Sequence, residues 1–138
     1  MKDIRHAIYR LLADDPTVNG LCGGRIYPVQ LKQGVRDPSI VYHRITGLFD
    51  YQMSGPSGLV QNLIQIDSVA TGNDAASNLA NAAHDRLTGF RGEVITVSGS
   101  PQEIVTVHGI FQTSDRDVFD TVTQMFAVQR DYQVWFWE

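Results

Sequence analysis

Cysteine is almost absent from this sequence, since Cys22 is the only one among 138 residues. A single cysteine cannot form a disulfide within the chain, which excludes the disulfide-stabilised scaffolds of small secreted proteins. A reducing, cytoplasm-like compartment fits this composition. Cys22 stands beside Gly23 and Gly24, but no neighbouring residue is marked as a base that could activate it. We therefore expect Cys22 to be a buried structural residue.

Charge is sparse and scattered. Charged residues make up 19% of the chain, the formal net charge is −4 and the pI is about 5.4. Lysine and arginine form neither a run nor a patch interleaved with aromatic residues, whereas phosphate contacts need clustered cations. We therefore expect no specific nucleic-acid binding.

Long apolar runs are missing as well. The longest apolar stretches are far shorter than the ~20 residues that span a bilayer. The first residues, Met1 to His6, carry charge with no apolar run behind it, unlike a signal peptide. We therefore expect no membrane partner.

The residue patterns of catalytic and metal sites are also missing. Asp115, Asp117 and Asp120 superficially resemble a calcium loop, but they lack its central glycine and terminal glutamate, so we interpret them as a solvated acidic loop. The stretch 55–58 matches neither a nucleophile elbow nor a P-loop. The four histidines are isolated, without a second ligand residue at metal-binding spacing: His6, His43, His84 and His108. We predict that the protein is not an enzyme and needs no metal or cofactor.

What the chain does contain is the pattern of one α+β domain over residues 1–138. Its 43% hydrophobic content suffices for one core. Apolar residues recur at helical spacing in Asp3–Asp14 and Asp74–Thr88, with Asp3 as the expected N-cap of the first helix and a short turn opened by Pro16 between them. The second stripe is rich in alanine, which implies close packing against a flat sheet: Ala76, Ala80 and Ala83.

Alternating apolar residues predict strands in the rest of the chain. The breakers in Leu48–Gly58 indicate a flexible hairpin tip, and Gly99 to Pro101 a turn. The last strand is too long to run unbroken, so we expect it to bend or bulge near Arg130 and Asp131. The predicted fold is α+β, a mainly antiparallel sheet of four or more long strands with two helices packed on one face. The predicted strands are Ser39–Thr46, Leu59–Ala70, Glu93–Ser98, Gln102–Thr113 and Thr121–Trp137.

The last strand is bulky and apolar on both faces. Tyr132, Val134 and Phe136 share one parity, whereas Trp135 and Trp137 share the other. Two helices cover only one face of a sheet. Either a folded-over hairpin or a neighbouring subunit must therefore cover the two tryptophans, because exposed apolar patches mark interfaces.

Five stretches carry a resemblance through their order and spacing, and together they cover most of the chain. They are Gly24–Pro28, Asp37–Ile45, Val60–Asp67, the alanine-rich helix up to Leu87, and Arg130–Phe136. In this order they resemble the tail completion (tail terminator) family of long-tailed phages, including the forms found in prophages and gene transfer agents. Many members have an aromatic residue after the third stretch, where this chain has Ser68, Val69 and Ala70.

The resemblance implies a subunit of a hexameric ring that caps the finished tail tube and presents it to the head connector, without catalytic residues. It implies a place in the virion at the head-proximal end of the tail, after assembly in the bacterial host cytoplasm. The implied partners are copies of the chain itself, the tail tube protein and the head connector protein. The candidate subunit or tail contacts are Asp50, Tyr51, Gln52, Met53, Ser54, Trp135 and Trp137.

One alternative comes from another class of protein. A homo-oligomeric small-ligand-binding domain without catalysis would use the same aromatic face to line a pocket.

Overall fold

The computed structural model describes residues 4–31, 33–97 and 103–137, without the side chains of residues 49–51, 56, 57 and 97. The described residues form an α+β fold with three helices and a mixed six-stranded sheet. The helices are α1 (Ile4–Ala13), α2 (Pro16–Cys22) and α3 (Asn73–Leu87). The strands are β1 (Ile26–Pro28), β2 (Ser39–Gln52), β3 (Gly55–Ala70), β4 (Gly92–Val97), β5 (Glu103–Asp120) and β6 (Met125–Trp137).

The strands lie in the order β1-β2-β3-β6-β5-β4. Only β1 and β2 run parallel, and every other pair is antiparallel. The four central strands are long, and β3 pairs with β6 without a register shift from Leu59↔Trp137 to Ala70↔Phe126. The prediction of a mainly antiparallel sheet is confirmed, with one parallel pair at its edge.

The hydrophobic core lies on one face of this sheet, which we call the core face. Alternation along β3 and β6 places their even-numbered residues there, including Ile64, Tyr132 and Phe136, each with at most 1% of its surface exposed. Buried residues of α1 and α3 belong to the same cluster, for example Ile8 and Leu79. The opposite face of the sheet is called the open face.

Helix α3 lies close to the sheet where its buried residues are alanines. Ala76 and Ala80 form a small buried cluster with Ala70 of β3 and Val128 of β6. Arg130 of β6 adds a polar link, because its Nη1 donates to the Ala80 carbonyl (3.0 Å) and its Nη2 to Asn81 Oδ1 (2.9 Å). None of the helices within the described residues is long and apolar enough to cross a membrane.

The prediction of two helices is wrong, since a third one stands where we expected a short turn. Pro16 opens α2 with a preset backbone angle, and α2 then buries Val18 and Cys22 before Gly23 ends it at φ 58°. Asp15 stands at the N-cap with extended backbone but makes no side-chain capping bond. The expected cap of α1, Asp3, lies outside the described residues.

The hairpin predicted in Leu48–Gly58 is present, but its tip is shorter than expected. The strands continue through it, with Gln52 paired to Gly55, so the turn consists of Met53 and Ser54. Glycine permits this continuation, because Gly55 and Gly58 adopt φ values of 131° and 89° that other residues avoid.

The acidic segment is not a loop but the second half of β5, which runs to Asp120. β6 begins at Met125, later than predicted, and shows no bulge against β3. The irregularity near Asp131 lies in the partner strand, where Thr113 of β5 interrupts the pairing opposite Tyr132 and Asp131. A partner strand's bulge leaves no mark on the alternation of β6 itself. The predicted turn at Gly99 to Pro101 lies outside the described residues.

Candidate interaction surface

The open face carries both tryptophans that we singled out. Trp135 pairs with Gln61 and Trp137 with Leu59, so their side chains leave the sheet opposite to Phe136. Trp135 is half-buried, and Trp137 is 42% exposed, against 1% for Phe136 between them. Neighbouring residues of one strand thus have opposite environments.

These tryptophans belong to a larger group of apolar side chains, which we call the apolar patch: Leu48, Leu63, Phe111, Trp135 and Trp137. The register places Leu63 and Phe111 on either side of Gln133, two residues from Trp135 along β6. Leu48 is 57% and Phe111 53% exposed. Large apolar side chains exposed together on a sheet mark a surface that another protein covers.

Glycine shapes the middle of the apolar patch. Gly109 of β5 pairs with Trp135, and a Cβ atom built on it would lie 2.8 Å from the Phe111 ring. The Phe111 ring therefore lies close to Gly109, in space that the Cβ of any other residue would occupy. His108 approaches Trp137 edge-on, with 6.2 Å between the ring centroids.

Next to the apolar patch, the open face carries a polar ladder: Gln65, Arg116, Gln129, Asp131 and Ser114. Arg116 is its centre, because Nε donates to Gln129 Oε1 (2.9 Å), Nη2 to Gln65 Oε1 (2.9 Å) and Nη1 to Asp131 Oδ2 (3.2 Å). Ser114 Oγ donates to the same Asp131 oxygen at 2.6 Å. The ladder joins side chains of β3, β6 and β5 and so stiffens the sheet beneath the open face.

Asp67 continues this row toward the edge of the sheet. Gln65 Nε2 donates to its Oδ1 at 2.7 Å. Burial raises the pKa of the Asp67 carboxyl above its ordinary value, although the Gln65 hydrogen bond and the charges of His43 and Arg116 act in the opposite direction. Each of these polar groups is engaged with its neighbours, which is the arrangement of a structural network.

Sequence reasoning missed this ladder. The signal was present, because Gln65, Asp67, Gln129 and Asp131 all have the odd parity of the open face, while their even neighbours are mostly apolar. Arg116 could be placed among them only after the β5–β6 register was known.

A groove lies beyond the ladder, under residues 29–31 and 33–36. Arg36 Nη1 donates to the Thr123 carbonyl at 2.9 Å, so the segment reaches across to the turn between β5 and β6. The enclosed space is about 700 Å³, and its walls include Val41, Asp67 and Met125. Neither Trp135 nor Trp137 lines it, whereas the ligand-binding alternative requires an aromatic pocket.

The tip between β2 and β3 stands apart from these features. Gln52, Met53 and Ser54 are exposed, and Met53 is fully so. The side chains of Asp50 and Tyr51 lie outside the described residues.

The other titratable residues have local structural environments. Cys22 is buried in the core. The Asp120 carboxylate accepts the backbone N–H of Val122 at 2.9 Å and so closes the β5–β6 turn, and Asp115 pairs with Arg130 at 3.3 Å. Across residues 4–31, 33–97 and 103–137, no group of three or more His, Cys, Asp or Glu side chains could hold a metal ion.

The fold and the open face define an α+β domain with an exposed apolar surface. Comparison with known proteins makes this class specific. The family described as "Tail completion protein gp17" matches residues 6–136. This chain belongs to that family, whose members are structural proteins of phage tails.

The fold also recurs in a solved structure of a phage-like particle. A chain of the structure described as "Virion of native gene transfer agent (GTA) particle" superposes with a TM-score of 0.75 and 13% identity, over 98% of this chain and 95% of that one. At this identity the likeness shows the shared fold. No curated protein matches the sequence.

Proposed function

We propose that this protein caps the end of the phage tail tube and joins the tail to the head connector, as a ring of six copies. The whole chain acts as one tail-completion domain, located at the head-proximal end of the tail in the virion. Its partners are neighbouring copies, the tail tube protein and the head connector protein. Family membership over residues 6–136 is the observation that carries the proposal.

The surface chemistry supports a contact function. With α1 and α3 packed on the core face, the open face remains for docking, and its apolar patch offers broad aromatic surface. Tryptophan at the centre of an interface contributes more contact energy than most residues. Trp137, which is 42% exposed, is therefore the residue on which we expect docking to depend most.

Loss of the protein in an infected host tests this function. Without it, we expect tails of abnormal length or open ends, with heads that remain separate, because nothing closes the tube. Adding the purified wild-type chain should close tails and restore joined particles, as counted by electron microscopy. Normal joined particles in its absence would refute the proposal.

The tip has a separate test. Met53→Asp should leave the free energy of unfolding unchanged, because Met53 makes no buried contact, yet it should reduce joining of tails to heads. Val122→Asp is a matched control, since Val122 is 90% exposed at a different turn. Equal joining by both variants and the wild type would exclude the tip from the interface.

A further inference from the structure

Two strands of the sheet have long free edges. On its outer side, β2 pairs with β1 only from Ile40 to Tyr42, and no other described strand lies along residues 43–52. On the opposite side of the sheet, β4 pairs with β5 only as far as Val107. The Gly89 N–H donates to the Ile110 carbonyl at 2.9 Å, and residues 111–120 then have no described strand on their outer side. Each free edge is therefore ten residues long.

Both free edges carry exposed apolar side chains, which are unfavourable beside water. An unpaired edge of this length invites pairing with another chain, and natural proteins usually shield such edges. Here many of the large exposed hydrophobic residues lie on the two edges instead: Ile45 and Leu48 on β2, and Phe111, Val118 and Phe119 on β5.

The charges of the two edges are complementary on the core side of the sheet. Arg44 is exposed on the free edge of β2, and Asp117 is exposed on that of β5. Both residues pair with even-numbered core-face neighbours, Ile64 and Val128. Within the described part of the chain, neither has an ion-pair partner.

We propose that the free edge of β2 in one copy pairs antiparallel with the free edge of β5 in the next copy, so that one sheet continues through the ring. The inference rests on the proposed function and names the surface that builds the ring. Because the two edges are different surfaces, the contact is heterologous, and such contacts close into rings when the rotation is suitable.

The offset between the two edges agrees with ring closure. Both edges can be compared along β3. Gly47, in the middle of the free β2 edge, pairs with Asn62 of β3, whereas the middle of the free β5 edge lies level with Ile66 and Asp67 of β3. This offset of four to five residues corresponds to about 15 Å, and four strands of each copy span about 19 Å. The strands would then tilt by about 38° from the ring axis, within the range of about 35–45° found in closed barrels.

The two short strands act as stops that fix this offset. β1 covers the lower part of the β2 edge, and β4 covers the upper part of the β5 edge. When the next copy is displaced by the offset, residues 43–49 of its β2 face residues 112–118 of the first copy's β5. The last two residues of β5 and the tip of β2 reach the levels of β1 and β4, so they turn away from the neighbouring sheet.

Backbone direction sets the register. On β2, the Tyr42 carbonyl points outward and accepts the Val29 N–H. The backbone groups of Arg44 point the same way, and after the bulge at Ile45 so do those of Gly47.

On β5, the Ile110 carbonyl points outward. After the bulge at Thr113, the backbone groups of Asp115 and Asp117 also point outward. Outward groups bond only to outward groups, so with the middles of the two edges aligned, Gly47 lies opposite Asp115 and Arg44 opposite Asp117.

A cysteine pair tests this register. In the double variant Arg44→Cys with Asp117→Cys, the two Cα atoms of adjacent copies would be about 5.5 Å apart, within reach of a disulfide. Within one copy, three strand spacings separate β2 from β5 by about 14 Å, so the bond cannot form internally. Cys22 is fully buried and stays out of the reaction. The control is Arg44→Cys with Val118→Cys, because Val118 faces the opposite side of the sheet.

We expect mild oxidation to give covalent oligomers up to a closed ring for the 44/117 pair, and monomer for the 44/118 control. The experiment uses purified protein at rising concentration and tails isolated with the variant bound. If the 44/117 variant stays monomeric both in solution and on tails, the edge pairing is wrong. Equal cross-linking of the 44/118 control would also overturn it. Closed tails without cross-links would contradict the edge pairing and leave the proposed function standing, whereas normal virions without the gene would refute the proposed function itself.

A charge exchange provides an independent readout. Arg44→Glu and Asp117→Arg should each weaken association in sedimentation at least several-fold, and their combination should restore it. The melting temperature of each variant is measured separately to detect any loss of folding. If all three variants self-associate as strongly as the wild type, the proposed contact is wrong.

Discussion

The two faces of β6 show how one strand serves two purposes. Phe136 is 1% exposed within the core cluster, whereas its neighbour Trp137 is 42% exposed on the open face. Both are large and apolar, so hydrophobicity alone does not distinguish them. The difference is that other residues of the same chain bury Phe136 but not Trp137. Side chains that the chain itself buries stabilise the subunit, whereas those left exposed are available to a partner.

The largest effect should come from the core face. Phe136→Ala should lower the free energy of unfolding by about 3–5 kcal/mol, because it leaves a cavity among residues that cannot fully collapse. Trp137→Ala removes an even larger side chain from the open face and should cost much less. Chemical denaturation of both variants measures the difference. Equal losses would mean that the two faces are equally involved in stability.

A second effect tests the contact between α3 and the sheet. Ala80→Leu or Ala83→Leu should destabilise the protein by roughly 1–3 kcal/mol, since the alanine sites leave no room for a larger side chain. Ala75→Leu is the matched control, because Ala75 is exposed on the same helix. If the two buried variants melt like the control, α3 does not pack closely on the core face.

The smallest effect concerns Asp67 on the open face. Burial raises its pKa, so the folded protein binds this proton more tightly than the unfolded chain, and the associated stability is lost as the pH rises through the folded-state pKa. Asp67→Asn keeps the acceptor for Gln65 and removes the buried charge. The variant should therefore melt above the wild type at pH 7, with the gap narrowing toward pH 4. A gap that widens on acidification would contradict this sign.

Much of the fold could be predicted because periodicity is a local signal. The odd and even parities of β6, the strand Leu59–Ala70 and the alanine-rich helix follow directly from side-chain spacing. The sequence could not place β5 along β6 as far as Asp120, because Asp115 and Asp117 are poor strand formers whose position depends on pairing with Arg130 and Val128.

The candidate site could be predicted only in part for the same reason. Trp135 and Trp137 were identifiable from parity. Phe111, Leu48 and the polar ladder join them through register between distant strands, and register across three strands is not readable from one segment. The free edges of β2 and β5 likewise appear only once β1 and β4 are known to be short.

The central claim is that the open face docks onto another protein chain while the core face stabilises the subunit. The double variant Trp135→Ser with Trp137→Ser, compared with the wild type by sedimentation and thermal melting, tests it most directly. We expect the wild type to associate with rising concentration or on the tail end, and the variant to associate weakly and fail to close tails, with only a modest loss of melting temperature. An unfolded variant beside a wild type that never associates would contradict the account, because the two tryptophans would then belong to the core.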